Sequence, residues 1–324
     1  MTFIATVVAK NGVAIIADSL VTSTQPVIEY NEFIKFFEKK SAEVKDETLV
    51  LDPKEIISLF EAKPHHTKNY EEKLFQYDKY TAITTAGAAT INDKRIVDLI
   101  EEIKLKNKKT KGYSQKKFEN KIKDFSDYLT EEVKTHLTHK TTIRPTTFIF
   151  THFSNKTNKT IIYKVEVLSS SQKHINDKDY KFVTYSATNE YEKVVCDGQN
   201  RISEKILFGD VLTVFGLIPR IVFKVAKDFG IDEKNISESY INNLRKDKDI
   251  VPPTLFSDMK IFKLGELSLQ QAVDLANLLM KLEIDFQNYT EDIPTVGGLI
   301  KLAVIDKNGF RFIAGHEITK PINL

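Results

Sequence analysis

Residues 2–18 form two almost wholly apolar runs, Phe3 to Ala9 and Val13 to Ala17, on either side of Lys10-Asn11-Gly12. An Asn-Gly pair between such runs predicts a tight hairpin, because both residues tolerate positive φ in the turn. Runs with so few polar positions predict strands covered on both faces. The pattern returns near the end, where Ile300 to Ile305 and Phe310 to Ala314 flank Asp306-Lys307-Asn308-Gly309. A third strand pair lies at 74–86, with Tyr80 to Ala86 apolar and β-branched. A fourth covers Thr146 to His152 and Thr160 to Val167, joined by a polar turn.

Between these groups the period changes from two to about 3.6. Residues 93–107 place Ile96, Val97, Ile100 and Ile103 on one stripe. Residues 114–137 do the same with Phe118, Ile122, Phe125, Leu129 and Val133, so both segments predict amphipathic helices. Residues 200–229 predict an apolar helical region broken at Pro219. A last helix begins at Ser268, where Gln271 completes a capping box, and continues through Ala272, Leu275, Leu278 and Leu279. Strands, two helices, strands, two helices, strands is an order that argues against a βαβ sheet. Two antiparallel sheets packed face to face, with helices on both outer sides, satisfy it: an α+β, four-layer α/β/β/α sandwich. Two polar stretches, approximately 23–70 and 230–264, fall outside this minimal core and read as surface insertions into a single domain spanning 1–324.

Composition narrows the class. Lysine and arginine number 47 against 45 acidic residues, so no global field favours nucleic acid or membrane. The one cysteine, Cys196, excludes an internal disulfide framework and fits a reducing cytoplasm. No run approaches the roughly 18 apolar residues of a membrane span, and no secretion signal opens the chain. No phosphate loop of the P-loop type appears, and neither a cofactor nor a metal is expected. His136 and His139 stand three apart on a predicted helix, where a solvated face is the ordinary reading; His65-His66 in its polar loop reads the same way.

The chemistry concentrates at Thr2. Removal of Met1 would leave a hydroxyl and a free α-amine on one residue, nucleophile and base together. In this context the chain resembles proteasome β subunits and HslV-like threonine proteases of the N-terminal-nucleophile (Ntn) hydrolase superfamily. The resemblance rests on Thr2 to Val21 with Gly12-Val13-Ala14-Ile15-Ile16-Ala17-Asp18, on Lys73-Leu74-Phe75-Gln76-Tyr77-Asp78 through Ala86-Gly87, and on Gly297-Gly298 through Ile305 to Phe310. It implies the Ntn-hydrolase fold and a set of roles. Thr2 would attack the scissile carbonyl and Lys73 would stabilise charge beside it. Asp18 would hold Lys73, and Gly87 would offer an oxyanion N–H. Asp292 would be a supporting acid. Thr22, Gly87 and Ala89 would hold an extended peptide by their backbones, with Thr85 and Ala89 shaping the pocket before the cut. The family further implies a homo-oligomeric ring acting on protein or peptide substrates, with an ATPase activator supplied by another protein.

Three departures qualify the resemblance. Asp197-Gly198-Gln199-Asn200 stands where the family has a Gly-Ser-Gly-type segment touching the terminal amine, so that contact is either missing or made by Gln199. Val296 precedes Gly297, where many members have Ser. Only Met1 precedes Thr2, so activity would depend on methionine aminopeptidase. Two other readings stay open: an Ntn amidase on small amides, and a non-catalytic scaffold in which Met1 is retained and the insertions bind partners.

Overall fold

The computed structural model describes residues 2–43, 51–68, 71–189, 193–208, 211–251, 264–290 and 294–315. It is a mixed α+β structure built on two antiparallel five-stranded sheets. The amino-terminal hairpin is β1 (Phe3–Ala9) and β2 (Gly12–Ala17). Ala9 pairs with Gly12, so Lys10-Asn11 make the turn, Gly12 opens β2 and neither Asn11 nor Gly12 takes a positive φ, one residue off the expected Asn-Gly turn. A ribbon of β3 (Val21–Val27) and β4 (Glu61–Lys68) follows, enclosing helices α1 (Tyr30–Glu43) and α2 (Pro53–Ser58). Next come β5 (Leu74–Asp78) and β6 (Thr81–Ala86). The two-residue bridges β7 (Thr90–Ile91) and β8 (Lys94–Arg95) lead into α3 (Ile96–Lys109) and α4 (Phe118–His139).

After the short β9 (Thr142–Ile143), the long hairpin β10 (Thr146–Ser154) and β11 (Lys159–Val167) crosses the molecule. Short β12 (Ser170–Ser171) pairs back to β9, and β13 (Val183–Ala187) and β14 (Val194–Gly198) each edge one sheet. Helices α5 (Arg201–Phe208), α6 (Val211–Asp228), α7 (Glu238–Leu244) and α8 (Leu269–Gln287) precede the closing hairpin of β15 (Lys301–Asp306) and β16 (Gly309–Ala314). The strand orders are β14-β1-β2-β15-β16 and β13-β11-β10-β6-β5.

Alternation along each strand sorts the apolar residues into three cores. Ile4, Val13, Ile15, Ala82, Ile149 and Ala303 meet between the sheets. Their neighbours Phe3, Ala5, Ala14, Ile16 and Val304 face the opposite way and pack with Ala272, Leu275, Ala276 and Leu279 of α8. On the other sheet Ile83, Phe148, Phe150 and Val165 pack with Ile100, Ile103, Phe125 and Leu129 of α3 and α4. Both faces of β2, β6 and β15 are therefore covered; β2 carries no polar side chain, and the threonines of β6 are buried with it. In β1 the Thr6 hydroxyl lies 3.3 Å from that of Thr151 across the inter-sheet core.

Several expectations take a different form. Pro219 does not break the helix there: it lies inside α6. The span 23–70 is more than surface loop, since β3 and β4 give it a ladder of its own. In the span 230–264, α7 packs Ile241 on Ile218 of α6 in a small separate core; residues 252–263 lie outside the described residues. The edge strands β13 and β14 were not foreseen as strands. The Ser268–Gln271 capping box forms in both directions. Among the described residues no helix is long and apolar enough to cross a membrane.

The inter-sheet core sets a stability expectation. Ile149 is fully buried there and does not line the Thr2 cavity described below. Truncating it removes three carbons that the two sheets cannot close over. Ile149→Ala should lower the unfolding free energy by roughly 2–5 kcal/mol, read from urea denaturation, with the slope unchanged.

Candidate active site

The site begins with a carboxylate that water does not reach. Asp18, just past the end of β2, has a fully buried side chain and accepts four hydrogen bonds. Oδ1 takes the Phe3 N–H at 3.1 Å and Lys73 Nζ at 2.9 Å; Oδ2 takes the Leu20 N–H at 3.2 Å and the Gly297 N–H at 3.1 Å. The backbone of Asp18 donates in return to the Phe3 carbonyl at 3.2 Å, so the first strand is clamped just behind Thr2. Lys73, at the foot of β5, is almost as buried and also donates to the Leu20 carbonyl at 2.5 Å.

Burial penalises the charged form of both partners. It pushes the Asp18 carboxyl above the usual range, against the pull of Lys73 and of the Gly297 and Phe3 N–H groups. It pulls the Lys73 ammonium below the ordinary lysine range, against Asp18. Lys73 is thus closer to releasing a proton than an exposed lysine.

Thr2 is buried too, and its carbonyl receives the Gln199 N–H at 2.6 Å. Gly198 makes that approach feasible: its φ is +87°, and a Cβ there would sit 1.9 Å from the Thr2 oxygen. Gln199 also meets Thr295 through its side-chain oxygen. Thr295 is fixed in turn by Gln287 in the last turn of α8, whose amide oxygen receives the N–H groups of Thr295 at 2.5 Å and Val296 at 3.0 Å. The next residue, Gly297, returns the chain to Asp18 and accepts from the Ser19 and Leu20 N–H groups.

One cavity of about 590 Å³ gathers most of the residues singled out in the sequence. Thr2, Thr22, Lys73, Thr85, Gly87 and Ala89 all line it, and Asp18 stands behind Lys73. Gly87 has φ +126°, and a Cβ would come within 2.5 Å of the Pro145 carbonyl, so no other residue fits the turn. Thr146, opposite, holds the following loop by accepting the Ala88 N–H at 3.0 Å. The Thr85 hydroxyl is buried and has no hydrogen-bond partner among the described residues. Asp292 lies outside the described residues.

Other polar candidates have structural posts. His136 Nδ1 accepts the Asn92 N–H at 2.9 Å, so its proton is on Nε2, which faces the Thr142 carbonyl at 3.2 Å. That tautomer occupies both ring nitrogens. Cys196 is half-buried against the α8-side core, and burial pushes its thiol upward, leaving it protonated and unreactive. Sequence reasoning did not single out Gln287 or Thr295; the signal was a polar residue on the buried stripe of α8, one turn beyond Glu283.

No family model matches this chain, and no curated protein is significantly similar to it.

The Asp18–Lys73 pair yields an asymmetric expectation. Asp18→Asn puts an amide among three backbone N–H donors and strands a buried ammonium; it should cost roughly 3–5 kcal/mol. Lys73→Met leaves the carboxylate held by those three donors and should cost distinctly less. Urea unfolding of the two variants decides: equal losses would mean the backbone bonds to Asp18 contribute little.

Proposed function

We propose that this chain is a threonine-type peptidase of the Ntn-hydrolase class, built on that superfamily's four-layer α/β/β/α sandwich and related to proteasome β subunits. The observation that carries the reading is the shared cavity. Segments from residues 2, 22, 73 and 85–89 contribute Thr2, Thr22, Lys73, Thr85, Gly87 and Ala89 to its lining, with a buried carboxylate fixing the lysine. Four unrelated roles of one mechanism converge there, although nothing in ordinary packing requires them to.

In this mechanism Met1 is removed and the Thr2 α-amine becomes free. Thr2 Oγ attacks the scissile carbonyl carbon while its proton passes to the α-amine, and Lys73 stabilises the alkoxide character that develops on Oγ. The tetrahedral oxyanion takes the Gly87 N–H, an interaction worth roughly 3–4 kcal/mol in comparable sites. Collapse expels the amine product, which leaves with the proton held on the α-amine. Water then attacks the Thr2 ester and gives its proton to the same amine; the acyl C–Oγ bond breaks as that proton returns to Oγ, releasing the acid product and restoring Thr2. Substrate would lie extended against the edge of β3 not paired to β4, adding a strand to Thr22, with Ala89 on its other side and Thr85 in the pocket before the cut.

The same reading includes a homo-oligomeric ring enclosing the sites, a cytoplasmic setting and an ATPase activator on another chain. Leu217, Ile221 and Val225 form an exposed apolar stripe on α6, continued by Phe229, that a neighbouring copy would cover.

Intact mass measured before and after a threonine-directed β-lactone or epoxyketone tests the proposal. The expected result is a chain lacking Met1 that gains one adduct, with no adduct on Thr2→Ala. Retained Met1 and no adduct would overturn it and leave a non-catalytic protein. Because the amine must be neutral to accept the proton, labelling should slow about tenfold per pH unit below its pKa, ordinarily ~7.7–8.0. Size-exclusion chromatography separates ring from monomer; a monomer that labels would point to small amides.

A further inference from the structure

The β5–β6 hairpin has its other end at the turn through Lys79 and Tyr80, and a second concavity of about 760 Å³ opens there. Its walls come from three elements: that turn, the end of α3 with the loop after it, and α4. Five lysines line it, Lys79, Lys104, Lys108, Lys111 and Lys121, against a single carboxylate, Asp78. The whole chain is nearly neutral, at +2, so this is a local concentration of charge.

Partial neutralisation leaves most of it standing. Lys121 Nζ reaches Asp78 at 3.3 Å, and Lys104 pairs with Glu101 at 2.6 Å. Lys79, Lys108 and Lys111 have no carboxylate partner among the described residues. Lys108 also sits in the last turn of α3, where it offsets the negative helix end. That accounts for one lysine, and not for the convergence of two further elements on the same hollow.

The floor is polar and fixed. Buried Asn107 donates to the Tyr77 hydroxyl at 2.7 Å, and that hydroxyl lies 3.0 Å from the Tyr113 hydroxyl. Burial pushes both tyrosines upward, so they remain neutral hydrogen-bonding groups. His152, also on the wall, is held below the ordinary histidine range by burial and adds no positive charge near neutral pH.

We propose that this hollow binds a small polyanion carrying several linked phosphates. The sign follows from five ammonium groups against two carboxylates, Asp78 on the wall and Glu101 paired to Lys104. The number of phosphates follows from size and spread, since the volume far exceeds the ~30 Å³ share of one water, and the lysines stand on separate elements. Lysine ammoniums are point charges without the planar fork of arginine, so the site reads charge count more than shape. The site stands independently of the peptidase reading.

Isothermal titration of the full chain with orthophosphate, tripolyphosphate and ATP tests the assignment. Tripolyphosphate should bind more tightly than orthophosphate and weaken as salt is raised. Lys108→Gln with Lys111→Gln, both at exposed positions, should weaken it about tenfold, each exposed charge being worth a few-fold. Lys224→Gln with Lys281→Gln, on α6 and α8, should leave it unchanged, as should Thr2→Ala. ATP equal to tripolyphosphate would assign the site to the phosphate chain alone; tighter ATP would add the nucleoside to the ligand. No heat with tripolyphosphate at millimolar concentration, or equal binding by the Lys108/Lys111 double variant, would overturn the proposal.

Discussion

Taking a carboxylate and an ammonium out of water costs several kcal/mol for each ion, and their mutual attraction alone does not reliably return it. Asp18 and Lys73 are both buried, so the structure has to offset that cost locally. It does so with backbone: the N–H groups of Phe3, Leu20 and Gly297 on the carboxylate, and the Leu20 carbonyl on the ammonium. These donors and acceptors come from the start of β1, the end of β2, the start of β5 and the turn before β15. Four chain segments are therefore held in one geometry by the demands of a single ion pair. The placement of Thr2 beside Lys73 in the cavity wall is a consequence of that demand.

A second set of polar contacts fixes the same segments from the far side. Gln287 sits on the buried face of α8 and uses its oxygen to hold Thr295 and Val296, while its nitrogen reaches the Glu283 and Val296 carbonyls. Thr295 passes the constraint to Gln199, and Gln199 to the Thr2 carbonyl. Glu283, one turn earlier, accepts the Ser203 N–H at 2.7 Å and so satisfies the start of α5. The helix that covers the first sheet thus also sets the position of Thr2 at the start of β1.

Much of this fold is legible in the sequence because burial on both faces writes itself as uninterrupted apolar runs. Phe3 to Ala9, Val13 to Ala17 and Ile300 to Ile305 could hardly be anything but interior strands, and the stripes at 96–103 and 118–133 have one helical face. The edge strands β13 and β14 were not legible. Val183–Ala187 has one buried residue out of five, so neither alternation nor a run marks it. Pro219 misled because proline inside a helix removes one hydrogen bond and adds a clash without having to end the helix, and α6 runs through it. At the candidate site, Thr2, Lys73 and Gly87 could be picked out only together, by the resemblance of their flanking segments and their order along the chain, since each alone is an ordinary residue. Gln287 and Thr295 could not, since their roles exist only once residues 199 and 297 arrive from elsewhere. A polar residue kept in register with an apolar helix stripe was the one trace they left.

Covering β2, β6 and β15 on both faces has a further effect: apart from small threonine hydroxyls it leaves little room for polar chemistry along the middle of the sheets. Polar groups that must meet solvent or a ligand are confined to strand ends and to the loops just past them. The β5–β6 hairpin illustrates this. Lys73, Thr85 and Gly87 stand at one end, Asp78 to Tyr80 at the other, and between them Leu74, Phe75, Ala82 and Ile83 are core. The groups at each end must then be assembled from segments distant in sequence, since one strand delivers only a residue or two there. That is why a buried ion pair bridging four segments, and not any one motif, governs the Thr2 cavity.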